Sequence, residues 1–291
     1  MTSTCSMTLR PRSDRPVDAA TIALVRAVGA VAAGLGLPML LVGATARIVL
    51  LEHVHGLTTG LGTRDIDFAF AVSGWPTFDA LKRALIASGP FEASRDAAHR
   101  LYYRPPSGES GAIVDLIPFG GVEGPGGALA WPPDLDVVMS VVGFHDAHEA
   151  AADVEIAPGL LVRVASLPGI ALLKLFAWRD RGLSNAKDAL DLHMLLHRYG
   201  ETGVDTRLYH EALDRFEALD YDLELAAAWL LGRDAATLAG PDTRTQALAI
   251  LTNTTACERL INDMARTSGD GAIDPLRRLL DQFVSGFLAL A

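Results

Sequence analysis

The residues best suited to chemistry lie in Arg64-Asp65-Ile66-Asp67-Phe68. On a strand, alternate side chains share a face, so Asp65 and Asp67 point one way and Ile66 and Phe68 the other. Two carboxylates on one strand face repel each other unless a cation lies between them. An Asp-x-Asp strand behind a glycine-rich loop therefore suits a divalent metal. Oxygen donors at this spacing suit magnesium, which keeps positions for water and substrate phosphates. Two surface aspartates on an edge strand give the same pattern. Asp115 adds weight. It is a lone acid in Ala112-Ile113-Val114-Asp115-Leu116-Ile117, and burying an unpaired charge is costly. If its strand neighbours the Asp65 strand, three carboxylates converge. Three acids can hold two metal ions about 4 Å apart, the arrangement used for in-line phosphoryl or nucleotidyl transfer.

Upstream, Leu41-Val42-Gly43-Ala44-Thr45-Ala46 reads as strand, glycine, small residue, hydroxyl, helix. A helix N-terminus offers free N–H groups to a phosphate. Gly43 permits close backbone approach, and the Thr45 hydroxyl is a further donor. A plain strand-to-helix turn would look the same. Other pairs are weaker. His53 and His55 lack the spacing of a helical zinc pair, and His193 and His197 have it without the framing glutamate. His145 and His148 read as surface polar residues. The glycines of Gly120–Gly127 lack the Gly-Lys-Ser/Thr ending of a phosphate loop, so they read as a flexible connection.

These residues need elements to hold them. Asp18 is placed to cap a helix with Leu24, Val25, Val28 and Leu35 on its apolar face. A turn at Gly36-Leu37-Pro38 leads to a strand at Met39–Val42, and a second helix is expected from Thr45 to about His53. The segment His55–Thr63 reads as a loop and Arg64–Val72 as a strand. A helix is expected over Trp75–Ala87, then strands at His99–Arg104, Ala112–Ile117, Val137–Phe144 and Leu160–Val164. From Ser166, a candidate N-cap, the chain turns helical. Helices are expected up to Arg181, from about Ala186 to Tyr199, and through Thr206–Ala291 without a strand. This is an α+β chain: a flexible tail over 1–16, a mixed-sheet core with flanking helices over 17–165, and a C-terminal helical bundle over 166–291.

In this order the motifs resemble polymerase-β-like nucleotidyltransferases. The closer likeness is to the AbiEii/MenT group of bacterial nucleotidyltransferase toxins. Gly43-Ala44-Thr45-Ala46 is similar to that group's Gly-Gly-Thr-Ala turn, and Arg64 to Phe68 is similar to its Arg-Asp-Ile-Asp segment. Lys174-Leu175, Arg181 and Lys187-Asp188-Ala189-Leu190-Asp191-Leu192 resemble its later Lys-Leu and Lys-Asp-x-x-Asp-Leu motifs. The likeness spans roughly Leu41 to Leu196. It implies transfer of an NMP from an NTP to an acceptor hydroxyl with Mg²⁺, one or two ions. Asp65 and Asp67 would ligate metal with Asp115, which would also activate the hydroxyl. Lys174 would bind the triphosphate. Gly43, Ala44, Thr45, Arg64, Lys187, Asp188 and Asp191 would surround the nucleotide. Asp188 and Asp191 share a helix face, from which they could orient Lys174 or the nucleotide; acids stabilising a helix dipole would sit there too. The resemblance further implies the tRNA 3′ end as an acceptor and a cognate antitoxin as a partner. Transfer to a small molecule or protein side chain, or nucleotide binding without catalysis, fits the same motifs. Ala44 departs from the turns that carry a serine hydroxyl.

Composition narrows the partners. The chain has 291 residues, 50% hydrophobic and 21% charged, with net charge -10. A core of domain size can form, and generic DNA coating is excluded because it calls for a basic surface. Lys82 to Arg104 nevertheless carries Lys82, Arg83, Arg95, Arg100 and Arg104 with Tyr102 and Tyr103 interleaved. That is a path on which RNA bases could stack, and half-exposed strands have the same composition. The uncharged run between Arg26 and Arg47 is broken by Gly29, Gly34, Gly36, Pro38 and Gly43, which argues against a membrane span. Two cysteines, Cys5 and Cys257, make no disulfide framework, in keeping with the cytoplasm.

Overall fold

The computed structural model describes residues 8–60, 62–63, 65–105, 108, 111–182, 185–267 and 273–290. The chain divides into two compact units, Met1–Ser166 and Leu167–Ala291.

In the first unit, Asp18 caps α1 (Ala19–Gly34) by accepting the Thr21 N–H at 2.9 Å, satisfying one of the free donors of the first turn. Leu24, Val25 and Val28 are buried as expected, but Leu35 lies past the helix end and is 43% exposed. The chain then turns into β1 (Met39–Val42) and, at once, α2 (Gly43–Ile48). The helical path continues as a wider π-helical segment, Val49–Val54. The helix thus starts two residues before Thr45. After β2 (Asp65–Val72) come α3 (Trp75–Ala87), β3 (Phe91–Ala93), β4 (Arg100–Tyr103) and β5 (Ala112–Gly120). A small ribbon of β6 (Ala128–Ala130) and β7 (Val138–Ser140) follows, then α4 (Phe144–Glu149), β8 (Ala152–Ala157) and β9 (Leu160–Val164). The strand expected over Val137–Phe144 is therefore shorter. The backbone turns at Gly143 and Phe144 opens a helix.

Seven strands form one mixed sheet in the order β3-β4-β5-β2-β1-β9-β8. β2 lies between an antiparallel β1 and a parallel β5. Its alternation is visible in burial: Ile66, Phe68, Phe70 and Val72 are buried, while Asp65, Asp67 and Ala71 are half-buried. The sequence did not reveal β3, β6 or β8. The first two have three residues each, and Ala-Asp-Val-Glu-Ile-Ala in β8 alternates with small and acidic residues.

Residues 8–16, expected as part of a flexible tail, are tied down. Leu9 bridges Val154, Arg10 pairs with Glu155 at 2.8 Å, and the Arg12 N–H donates to the His53 carbonyl at 2.7 Å. His53 Nδ1 also meets the Arg15 carbonyl at 3.0 Å.

The second unit is helical throughout its described residues: α5 (Leu167–Arg181), α6 (Lys187–Arg198), α7 (Asp205–Glu211), α8 (Leu213–Ala218), α9 (Leu223–Leu238), α10 (Pro241–Leu251), α11 (Thr254–Met264) and α12 (Ile273–Leu288). Asp222 and Asn253 cap α9 and α11, accepting from the Leu225 and Ala256 N–H groups. α9 and α12 pack backbone to backbone. A Cβ on Gly232 would lie 2.0 Å from the Phe283 carbonyl oxygen, and one on Gly286 would lie 1.9 Å from that of Trp229. Only glycine fits at either position. No described helix is long and apolar enough to cross a membrane.

Candidate active site

The candidate residues fall into one group in each unit. In the first unit the parallel register of β2 and β5 places Asp67 directly beside Asp115 and Asp65 beside Ile113. In-register neighbours point to the same face of a sheet, so Asp65, Asp67 and Asp115 do share a face. The adjoining β4 extends the row: Arg100 is the register partner of Asp115.

Gly43 fixes the Asp67 carboxylate. Its φ is +69°, and a Cβ built there would stand 2.0 Å from Asp67 Oδ2 and 2.9 Å from Cγ. The carboxylate fills the space a side chain at position 43 would need. Asp65 is held by threonines on both sides of the glycine loop. Thr63 Oγ1 donates to Asp65 Oδ1, and Thr45 Oγ1 donates to the Asp65 carbonyl at 3.3 Å. Ala44 and Thr45 are buried. The Thr45 hydroxyl, expected to reach for a phosphate, thus serves the Asp65 backbone. Arg64 lies outside the described residues. Thr45, Thr63, Ile66 and Ile113, with Asp18 and His53, line a cleft of ≈ 720 Å³ in this unit.

Asp115 is 7% exposed, as its apolar strand requires. Its charge is met by Arg100, whose Nε and Nη2 each donate to one carboxylate oxygen at 2.8 Å. This two-bond pairing is the strongest geometry available to the two side chains. It holds the Arg100 guanidinium well above its ordinary pKa, and the Asp65 charge contributes. Next to Arg100, the His99 ring packs on Trp131 at 5.3 Å. Burial lowers the His99 pKa, against an opposing pull from Asp115.

The donor set can be tested against a metal ion. Asp65 and Asp67 offer hard carboxylate oxygens from one strand face and fit a single hard cation. Asp115, expected to join them, has both oxygens engaged by Arg100. Among the described residues no three His, Cys, Asp or Glu side chains gather closely enough to hold a metal. The pairing of Arg100 was missed from sequence. Register alone reveals it: counting back equally from the middle of the loop between β4 and β5 matches Arg100 with Asp115.

The second unit carries Lys174 on α5 and Asp188 and Asp191 on α6. Lys174 is 7% exposed. Its Nζ donates to Asp188 Oδ1 at 2.9 Å and lies 2.6 Å from Asp191 Oδ2. Arg181 completes the group, donating from Nε to Asp188 Oδ2 at 2.6 Å and from Nη2 to Oδ1 at 3.0 Å. Burial works against the Lys174 ammonium, yet Asp191 and Asp188 outweigh it and raise its pKa. Burial likewise opposes the Asp188 carboxylate, and Arg181 and Lys174 outweigh it and lower its pKa. The i,i+3 acids of α6 thus grip the lysine, in place of the bare helix-dipole role. Lys187 is exposed at the first turn of α6, where its N–H donates to Asn185 Oδ1 at 2.9 Å. Sequence drew attention to Arg181 only as part of a motif.

The basic path between Lys82 and Arg104 is reduced in the fold. Tyr103 is buried against Phe91, Arg104 pairs with Glu92 at 2.8 Å, and Arg100 is engaged by Asp115. Lys82 donates to the Ala98 carbonyl. Arg83, Arg95 and Tyr102 remain exposed.

Comparison with solved structures finds similarity to the antibiotic-resistance factor ANT(2″)-Ia, in solution (14% identity, 70% of this chain and 97% of that chain, TM-score 0.38) and in a crystal complex with adenylyl-2″-tobramycin (16%, 71% and 96%, 0.38). An antigenic nucleotidyltransferase-like protein from Paracoccidioides brasiliensis is similar at 18% identity over 72% of this chain and 94% of that chain, TM-score 0.41. No curated protein matches the chain. The model of the family described as "Nucleotidyl transferase AbiEii toxin, Type IV TA system" matches residues 28–281, most of the chain, and the chain belongs to this family of nucleotidyltransferases.

Proposed function

We propose that the chain moves a nucleoside monophosphate from an NTP to an acceptor hydroxyl with Mg²⁺ bound by Asp65 and Asp67. The observation that carries this reading is the placement of Asp67 between the Gly43 turn and Asp115. The Gly43 turn, Asp67 and Asp115 lie on adjacent strands, which supports reading them as phosphate turn, metal ligand and third acid. When bound, the metal would neutralise the phosphate oxygens and polarise the reacting phosphorus. Gly43 holds Asp67 in place, and Thr63 and Thr45 hold Asp65. Asp115 is the group to accept the acceptor's proton; each of its oxygens has a lone pair beyond its bond to Arg100. Lys174 is assigned to the triphosphate by the family pattern, with Asp188, Asp191 and Arg181 fixing its ammonium. Gly43, Ala44, Arg64 and Lys187 are assigned to the nucleotide on the same basis.

The family description supports a toxin role with an antitoxin partner. The acceptor we propose first is the tRNA 3′ end. A second reading, transfer to a small molecule or protein side chain, is favoured by the burial and ion pairing that reduce the basic path. Incubation with each α-labelled NTP, Mg²⁺ and total tRNA plus cell extract, followed by separation of RNA, protein and small molecules, distinguishes them. Label in the tRNA fraction supports the first reading; label elsewhere supports the second. NTP binding with no transfer to any fraction overturns both.

A further inference from the structure

We propose that Arg259, with Arg179 and the N-terminus of α11, forms a binding site for a phosphate monoester or inorganic phosphate in the helical unit. Its residues belong to α5, α10 and α11, and it does not rest on the metal reading of Asp65 and Asp67.

Four observations carry the proposal. The first is a cleft. Trp178 and Arg179 of α5, Gln246 of α10, and Asn253 and Arg259 at α11 line a cavity of ≈ 270 Å³, and none of its described lining residues is acidic. In a chain of net charge -10, such a lining favours anions. The second is a cation without a counter-ion. The Arg259 guanidinium lies over the Trp178 ring, 4.1 Å from its centroid, and its Nε is buried with no hydrogen-bond partner among the described residues. The acids of its own helix are engaged elsewhere. Asp263, one turn on, accepts the Trp178 indole N–H at 2.9 Å and pairs with Arg266 at 2.8 Å, and Glu258 pairs with Arg277 at 2.8 Å. Stacking uses the face of a guanidinium and leaves its edge N–H groups for a ligand. The third is Arg179, braced by donating from Nη1 to Gln246 Oε1 at 3.1 Å and from Nε to Asp180 Oδ1 at 2.7 Å. Asp180 offsets one of the two guanidinium charges. The fourth is the start of α11, where Asn253 caps the helix by accepting the Ala256 N–H at 2.9 Å. A helix end of this kind adds a partial positive charge of about 0.5.

These features set the class of ligand. The open edge of Arg259 is a two-donor fork that matches phosphate or carboxylate. One uncancelled guanidinium and a helix N-terminus together carry about 1.5 positive charges. That suits a phosphate monoester, which carries about 1.5 to 2 negative charges at neutral pH, better than a carboxylate with one.

The test follows the indole N–H of Trp178 in the full chain by proton–nitrogen NMR, assigned with W178F. Inorganic phosphate, ribose 5-phosphate and acetate are titrated separately at neutral pH against chloride of matched ionic strength. Wild type should show a saturable shift with phosphate, with Kd of about 1 mM or tighter. R259Q should weaken it at least about tenfold. R259K keeps the charge but lacks the fork, and should fall between; it also serves if R259Q does not fold, as judged by circular dichroism. R95Q removes the same charge from an exposed residue of the first unit and should bind as wild type does. Tighter binding of ribose 5-phosphate than of phosphate supports a monoester as the ligand, and the reverse order supports the free ion. A shift that never saturates, or one equally strong in R259Q, overturns the proposal. Acetate bound as tightly as phosphate overturns the assignment of the ligand.

Discussion

Substituting Gly43 by alanine separates the geometry of the site from the stability of the fold. Two penalties arise at this position. The backbone has φ +69°, a region that costs an L-residue roughly 1–2 kcal/mol. The added Cβ would also stand 2.0 Å from Asp67 Oδ2. Non-bonded contacts settle near about 3.5 Å, so the carboxylate must retreat by about 1 Å or more. A misplacement of that size can cost about 10²-fold in catalysis. Gly36→Ala is the control. Gly36 has φ +67° but nothing within 4 Å of its would-be Cβ. Gly36→Ala should lose roughly 1–2 kcal/mol in denaturant titrations, and Gly43→Ala at least as much. Gly43→Ala alone should lose about 100-fold in NMP transfer and weaken Mn²⁺ binding. Equal activity in the two variants, or Gly43→Ala within about threefold of wild type, would refute the claim that Gly43 positions Asp67.

Further outcomes follow from other parts of the chain. Lys174→Met leaves Asp191 and Asp188 without their shared ammonium in a buried site, and should destabilise by about 3–5 kcal/mol; adding Asp191→Asn should restore part of that loss in urea melts. Gly232→Ala forces a methyl into the Phe283 backbone and should cost at least about 1–3 kcal/mol, read as a lower midpoint of the helical signal. Stability should also depend on pH. Burial holds the pKa of His148, His193 and His99 below the ordinary value, so these rings take up protons mainly on unfolding, and stability should fall as pH drops below about 6.5. Asp188 is depressed, so its contribution is complete above about 3.9, the unfolded value, and is lost as pH falls further through its folded value. Lys174 is raised, so its share persists to about 10.4 and is lost above its folded value. His148→Leu should flatten the limb between pH 7 and 5 in denaturant titrations.

The chemistry-bearing strand was legible in the sequence because alternation is a local property. Asp65 and Asp67 flank Ile66, and the burial of β2 follows that order. β1 was equally legible from the turn before it, Gly36-Leu37-Pro38, and α3 was expected over the residues it occupies, Trp75–Ala87. The neighbourhood of Asp67 and Asp115 was conditional on strand pairing, which the parallel β2–β5 register supplies. What stayed hidden depends on partners distant in sequence. Arg100 read as one of several basic residues until the β4–β5 register put it opposite Asp115. That Asp188 and Asp191 share a helix face and could orient Lys174 or the nucleotide was legible; only the packing of α5 beside α6 shows that both hold Lys174. Leu9 looked like tail because its partner, Val154, is 145 residues away. Gly232 and Gly286 carried no signal at all, since a close helix crossing leaves only two glycines in ordinary helical stretches.

On the proposed reading, Asp65 and Asp67 hold the metal that makes transfer possible. The direct measurement is transfer of label from an α-labelled NTP by wild type and Asp67→Asn, each with Mg²⁺ and with EDTA. Asparagine keeps the size of the side chain and removes its charge, so the fold should persist. Transfer is expected from wild type with Mg²⁺ only, with a loss of at least about 10²-fold in Asp67→Asn. Wild-type rates in Asp67→Asn, or undiminished transfer in EDTA, would contradict it.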